Sequence, residues 1–172
     1  MDFYKLIAER YSVRSFTDEH LPADVVEKIL EAGHLAPTGC NNQPQRILVI
    51  NTDESVERLK SCTRCHFDAP TAMLVCYNKD ECWTRKYDGK TCGVADACIV
   101  TTHMMLGAYS VGVGSTWVMH FDPQKMRDAF NIPANIEPVA LLVMGYPAED
   151  AKPADFHSQF RPLEEVVVYG SF

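Results

Sequence analysis

No apolar stretch of this chain approaches the roughly 20 residues that a membrane-spanning helix needs; the longest runs only from Val139 to Met144. The opening segment, Met1-Asp2-Phe3-Tyr4-Lys5-Leu6, has no basic patch followed by an apolar run, so an unexported, cytoplasmic protein is expected. Positive charge is also in short supply. Sixteen basic side chains stand against 23 acidic ones, for a net charge of -7. That field repels a nucleic-acid backbone and offers nothing to an anionic membrane, so neither is an expected partner. An anionic ligand needs a local basic pocket, for which Arg10, Arg14 and Arg161 are the candidates. The seven cysteines are odd in number, and without an export signal they favour reduced thiols over a disulfide framework.

Several chemical signatures are begun and not completed. Gly112-Val113-Gly114 opens a dinucleotide fingerprint, but position 117 is Trp; Gly89-Lys90-Thr91 lacks the glycine five residues upstream that a phosphate loop needs. Cys62-Thr63-Arg64-Cys65 has the spacing of a redox pair or of half a zinc site, with His66 adjacent. No second pair follows, Cys76, Cys82 and Cys92 are scattered, and the pair ends a helix instead of opening one. Incidental thiols and no metal are therefore expected, with Cys98 a small core residue. His103 lies inside an apolar helix and reads as a core or interface residue. No Ser-His-Asp order and no metal-binding helix motif occurs.

What is present is one core's worth of apolar sequence. The chain has 172 residues, 47% of them hydrophobic, which fits one domain over 1–172 and not two. Residues 2–11 place Phe3, Leu6, Ile7 and Tyr11 at helical spacing. Pro22 opens a second helix with Val25, Val26, Ile29, Leu30 and Leu35 on its apolar face. Strands are expected at 47–50 and 73–77 with a short helix at 55–60 between them, then a polar loop over 78–92. Residues 93–109 give the longest helical signal, apolar over so broad a surface that near-complete burial is expected. A strand through Trp117 to Met119 follows. Asp122-Pro123 caps and starts a helix to about Phe130, ended by Pro133, and 138–146 is a further strand. The remainder, 148–172, is a polar, proline-bearing arm ending in the apolar Val166-Val167-Val168-Tyr169, read as a strand.

Two motifs stand out near the front: Arg10-Tyr11-Ser12-Val13-Arg14, and Ala36-Pro37-Thr38-Gly39-Cys40-Asn41-Asn42-Gln43-Pro44. Further on come Asp96 near the start of the long helix, Gly112-Val113-Gly114-Ser115-Thr116-Trp117, Phe121-Asp122-Pro123, Ile132-Pro133, Gly145-Tyr146-Pro147 and Arg161-Pro162-Leu163-Glu164-Glu165. In this order and spacing they resemble the nitroreductase family of FMN-dependent oxidoreductases, over nearly the whole chain. The resemblance implies an α+β fold with a central, mainly antiparallel sheet flanked by helices, and a C-terminal arm exchanged in a homodimer.

It also implies FMN as cofactor, NADH or NADPH as electron donor, and a small electron-poor acceptor such as a nitroaromatic or quinone, reduced in ping-pong fashion. FMN's phosphate wants charge-assisted donors, and its ring wants apolar contact and a hydrogen-bonding edge. By resemblance, Arg10, Tyr11, Ser12 and Arg14 hold the phosphate and ribityl end, joined by Arg161 from the arm. A partner subunit contributes Pro37, Thr38, Gly39 and Asn41, while the main chain of Trp117, Val118, Met119 and His120 faces the ring edge. No side chain is expected to be catalytic in its own right. The chain departs from the family where many relatives carry a Lys or Arg before the Arg161 position; here His157, Ser158, Gln159 and Phe160 stand there, and protonated His157 is the available substitute. It is also short, with only 78–92 to cover the flavin, through Trp83 and Tyr87 if at all. The alternatives are a same-fold flavin enzyme such as a reductive dehalogenase or enone reductase, or a flavin or thiol sensor without turnover.

Overall fold

The computed structural model describes residues 2–172. Four strands, β1 (Gln45–Ile50), β2 (Thr71–Asn78), β3 (Gly114–Val118) and β4 (Ile136–Gly145), form one sheet. Their order is β1-β2-β4-β3, with every neighbouring pair antiparallel. Six α-helices accompany it: α1 (Phe3–Glu9), α2 (Ala23–His34), α3 (Asp53–Lys60), α4 (Gly93–Ser110), α5 (Pro123–Phe130) and the single turn α6 (Leu163–Val166). The expected α+β architecture with an antiparallel sheet is the one observed.

Strand alternation divides the core in two. In β2, Met73, Val75 and Tyr77 face α2 and α4, packing with Ile29, Val100 and Met104. Ala72, Leu74 and Cys76 face the other way, with Leu59 of α3 and Met126 of α5. Every residue of β2 is buried, which explains its unbroken apolar reading. Helices α2 and α4 cross so closely that a Cβ at Gly107 would stand 2.6 Å from the Ala32 Cβ. Pro138 sits inside β4, where it has no N–H for the ladder. The register accordingly shifts there, Val75 pairing with Ala140 and Cys76 with Pro138, so that Val139 is the extra residue of a bulge.

The helix starts follow their caps. Thr52 and Ser55 form a reciprocal capping box at α3, and Asp122 accepts the N–H groups of Gln124 and Lys125 ahead of Pro123 at α5. Helix α5 ends at Phe130, as the sequence reading placed it, and the stop is made by Asn131 in the left-handed conformation (φ 51°), two residues ahead of Pro133. Leu35, expected on the apolar face of α2, is 72% exposed, since it lies past the last helical residue. Helix α4 buries Ala97, Val100, Thr101, Met104 and Ala108, but Val94 and Ile99 remain 52% and 37% exposed and Cys98 is half-buried.

The two sheet edges differ. Outside β3 runs the N-terminal segment, Ser12 making a parallel bridge to Ser115 and Val13 N–H donating to Ser115 O at 3.1 Å. Outside β1 no strand of the described residues pairs. The apolar end of the arm, read as a strand, is not one: Leu163–Val166 makes a helical turn and 167–172 joins no sheet. A strand needs a neighbour, and this chain puts none beside it. Among the described residues no helix is long and apolar enough to cross a membrane.

Candidate functional site

Arg10, Tyr11, Ser12 and Arg14 line one pocket of about 280 Å3, closed on its far side by Ala154, Phe156 and His157 of the arm. Helix α1 ends at Glu9, and the chain then runs extended from Arg10, so alternate residues on one side of the segment, 10, 12 and 14, share an outlook. Neither Arg10 nor Arg14 forms a salt bridge among the described residues. Arg14 donates to Ser12 O at 3.2 Å and lies 6.0 Å from the Phe67 ring centre. Tyr11 donates to Ala151 O at 3.4 Å and meets the His157 ring edge-on at 6.2 Å between centres. Two guanidinium groups without an ion-pair partner among the described residues, a hydroxyl and an imidazole around one concavity are the local basic pocket that an anionic ligand needs in a protein of net charge -7.

The same segment lies along β3. Besides the Ser12–Ser115 bridge, the Thr116 hydroxyl donates to Val13 O. Residues 12–14 and 115–117 therefore run side by side in the same direction. Trp117 is half-buried and Val118 buried, whereas Met119 and His120 lie beyond the last ladder pair, Val118 with Leu141, and are exposed. His120 O accepts from the Thr63 hydroxyl and Asp122 N–H donates to Cys62 O at 2.9 Å, so the turn after β3 is held by the loop after α3. The donor set suits FMN: cations and a hydroxyl for the phosphate, then exposed main chain for the ring edge. Arg10, Ser12 and Arg14 would hold the phosphate end, and the 117–120 segment the ring end.

Arg161 is not part of this lining. It is paired with Glu165 at 3.6 Å and its side chain is 79% exposed; His157 occupies the arm's place in the pocket. Phe156 and Ala154 were not singled out in the sequence, because no periodicity marks the arm; the 3-10 turn Asp155–Ser158, with Ala154 as its N-cap, brings them to the pocket's rim, where both stay exposed.

Pro37, Thr38, Gly39 and Asn41 do not line the pocket either. They precede β1, three strands from β3, roughly 14 Å across the sheet at ordinary strand spacing. The loop contains a short 3-10 turn, Gly39–Asn41, with Cys40, Asn41 and Gln43 at φ 51°, 56° and 50°. Pro37, Cys40 and Asn41 are exposed. Gly39 N–H donates to Asp96 Oδ1 at 2.9 Å, and Cys92 S–H donates to Asp96 Oδ2 at 3.0 Å. Burial, and then the Asp96 carboxylate, push the Cys92 thiol up to about 11. Cys62 is buried and Cys65 half-buried; the Cys62 thiol donates to Arg58 O, as a small core residue does.

The Nitroreductase family model matches residues 7–75 and 64–146. A nitroreductase family protein from Clostridium difficile 630 is 40% identical in sequence, with full coverage of both chains and a TM-score of 0.93. The chain belongs to the nitroreductase family. Among other family structures, a provisionally named nitroreductase from Desulfovibrio desulfuricans, solved in complex with FMN, is 29% identical, covers 98% of this chain and 96% of its own, and has a TM-score of 0.79. A Methanothermobacter thermautotrophicus protein, provisionally named NADH dehydrogenase/NAD(P)H nitroreductase, is 28% identical over 157 residues, which is 87% of this chain and 80% of that protein.

Proposed function

We propose that this nitroreductase-family chain is an FMN-dependent oxidoreductase that takes electrons from NADH or NADPH and passes them to nitroaromatics, quinones or similar electron-poor acceptors. The observation that carries the reading is the pocket of Arg10, Ser12 and Arg14, cationic, unneutralised and joined through the Ser12–Ser115 bridge to the end of β3. Bound FMN supplies the redox chemistry, accepting a hydride equivalent from the nicotinamide and returning two electrons to the acceptor. The chain's own part is to hold and aim. Arg10 and Arg14 meet the phosphate with charge-assisted bonds, Tyr11 and Ser12 shape the wall, and Trp117, Val118, Met119 and His120 present main chain to the ring edge. The Thr63–His120 and Cys62–Asp122 bonds keep that edge in place, which is the preorganisation that electrostatic stabilisation requires. The seven free thiols suit the cytoplasm.

The working unit in this reading is a homodimer. Pro37, Thr38, Gly39 and Asn41 stand outside the pocket that Arg10 and Arg14 line, and in this reading they serve the flavin of a second copy. The open edge of β1 borders a groove of about 380 Å3 lined by Ile47, Leu48, Phe130, Ile132 and Ile136. Residues 148–172 expose Phe160, Leu163, Val166, Val168 and Tyr169, enough apolar surface to occupy such a groove on a neighbouring subunit and to bring Arg161 to a phosphate. An interface above about 2,000 Å2 in total is expected. Steady-state oxidation of NADH and NADPH against a panel of nitroaromatics, quinones and enones tests the activity: parallel double-reciprocal lines with nitroaromatics or quinones support it, and no flavin-dependent turnover with any of them refutes it.

A further inference from the structure

We infer that Asp96 is a positioning residue for the flavin site of the neighbouring subunit, acting by fixing the loop from Pro37 to Asn41. The inference rests on the proposal above that this loop serves a second chain. Asp96 is 2% exposed, and both carboxylate oxygens are engaged, one by Gly39 N–H at 2.9 Å and the other by Cys92 S–H at 3.0 Å. It is not among the residues that line the Arg10–Arg14 pocket, and its hydrogen bonds go to the loop and to Cys92, so what it contributes to a flavin it contributes through the loop.

The loop needs such a hold. Cys40, Asn41 and Gln43 all have positive φ, a region disfavoured for any residue with a Cβ. Backbone of this kind persists where its surroundings over-determine it. Besides the turn's own backbone bonds and an Arg46 contact to Gln43 O at 3.4 Å, from an exposed side chain, its ties are these: Thr38 Oγ1 accepts Gln43 N–H at 3.0 Å, Asn42 donates to Glu81 O at 3.0 Å, and Gly39 is bound to Asp96. The first two are local or reach another exposed loop. Only Asp96 is buried, in the first turn of α4, the helix that spans the sheet's inner face. It therefore passes the rigidity of the core to an otherwise exposed turn.

The chemistry of the contact asks for a carboxylate. An N–H and an S–H converge on one side chain, and a carboxylate accepts at both oxygens. The position across from it asks for glycine, since a Cβ at residue 39 would stand 2.5 Å from Cys92 Sγ and 3.0 Å from the Trp83 Cβ. Asp96, Cys92 and Gly39 thus form one fitted joint, and the side of the loop facing away from it, with Pro37 and Asn41, is the side left exposed.

Titration of apo-protein with FMN, followed by flavin fluorescence, tests the assignment. D96A is expected to raise the FMN Kd roughly 10- to 100-fold, and D96N, which keeps an oxygen for Gly39 N–H, to restore binding to within about 5-fold of wild type. A heterodimer of one D96A chain and one R14A chain then separates positioning in trans from a general loss of fold. If the loop serves the neighbour, one of its two sites combines the sound Arg14 with the sound loop, and half the sites bind FMN with wild-type affinity. Should D96A prove insoluble, G39A breaks the same joint from the loop side and replaces it in the heterodimer. Wild-type affinity in the D96A homodimer, or a heterodimer without any tight site, overturns the inference. Wild-type protein that takes up no FMN refutes the proposed function itself, a result distinct from either.

Discussion

In the proposed site cofactor retention should turn on Arg10 and Arg14, cations without an anionic partner among the described residues. Replacing Arg14 with Ala removes a charge-assisted contact and is expected to weaken FMN binding by about 1.5 to 3 kcal/mol, measured by equilibrium dialysis; Arg10→Ala should act alike. A loss below about 0.5 kcal/mol in both would place the phosphate elsewhere. The thiols make a separate prediction. Burial pushes Cys76 from an ordinary 9.0 up to about 12, with Arg127 nearby opposing the shift. The fold thus prefers the protonated thiol, so its contribution is fully present below about pH 9 and is lost as pH rises toward about 12. Unfolding free energies from urea titrations between those limits should fall for wild type by up to roughly 1.4 kcal/mol per pH unit from this group, and fall less steeply for Cys76→Ala. Arg10, Ser12 and Arg14 were legible in the sequence as a spaced motif. The Asp96–Gly39 joint was not, because the two residues are 57 apart and neither alone signals the other.

Helix α5 shows how local chemistry fixes an element. Asp122 satisfies two N–H groups and Pro123 presets the first turn, so Asp122→Ala should cost about 1 kcal/mol in stability, read as a lowered urea midpoint. An unchanged midpoint would show the cap to be redundant with the Asp122 N–H to Cys62 O contact. The strand and helix order was readable for the same reason: β2 and β4 each carry a long apolar run, α2 has one apolar stripe, and α3 and α5 carry their own caps. The bulge at Val139 was not, since it answers to Pro138 meeting a ladder partner. The arm was misread as ending in a strand because Val166-Val167-Val168 has β-branched composition, and composition cannot supply a neighbouring strand.

At the scale of the whole molecule, the proposed site is divided between the two edges of the sheet. The cationic pocket flanks β3, the Pro37–Asn41 loop precedes β1, and the apolar arm has no groove of its own to fill. In the proposed homodimer a second copy would meet each of these needs, and a sequence read as a single chain cannot display that arrangement. Deleting everything after Pro153 removes His157, Arg161 and the apolar end of the arm together, so dimerisation and FMN retention should fail together. The most direct test is sedimentation velocity of the full chain and of that truncation in the presence of FMN, monitored at the flavin absorbance. The expected result is a full-length dimer carrying about one FMN per chain and a truncated monomer sedimenting free of flavin. A truncated monomer that still carries FMN tightly would contradict the account, because the site would then be complete within one chain.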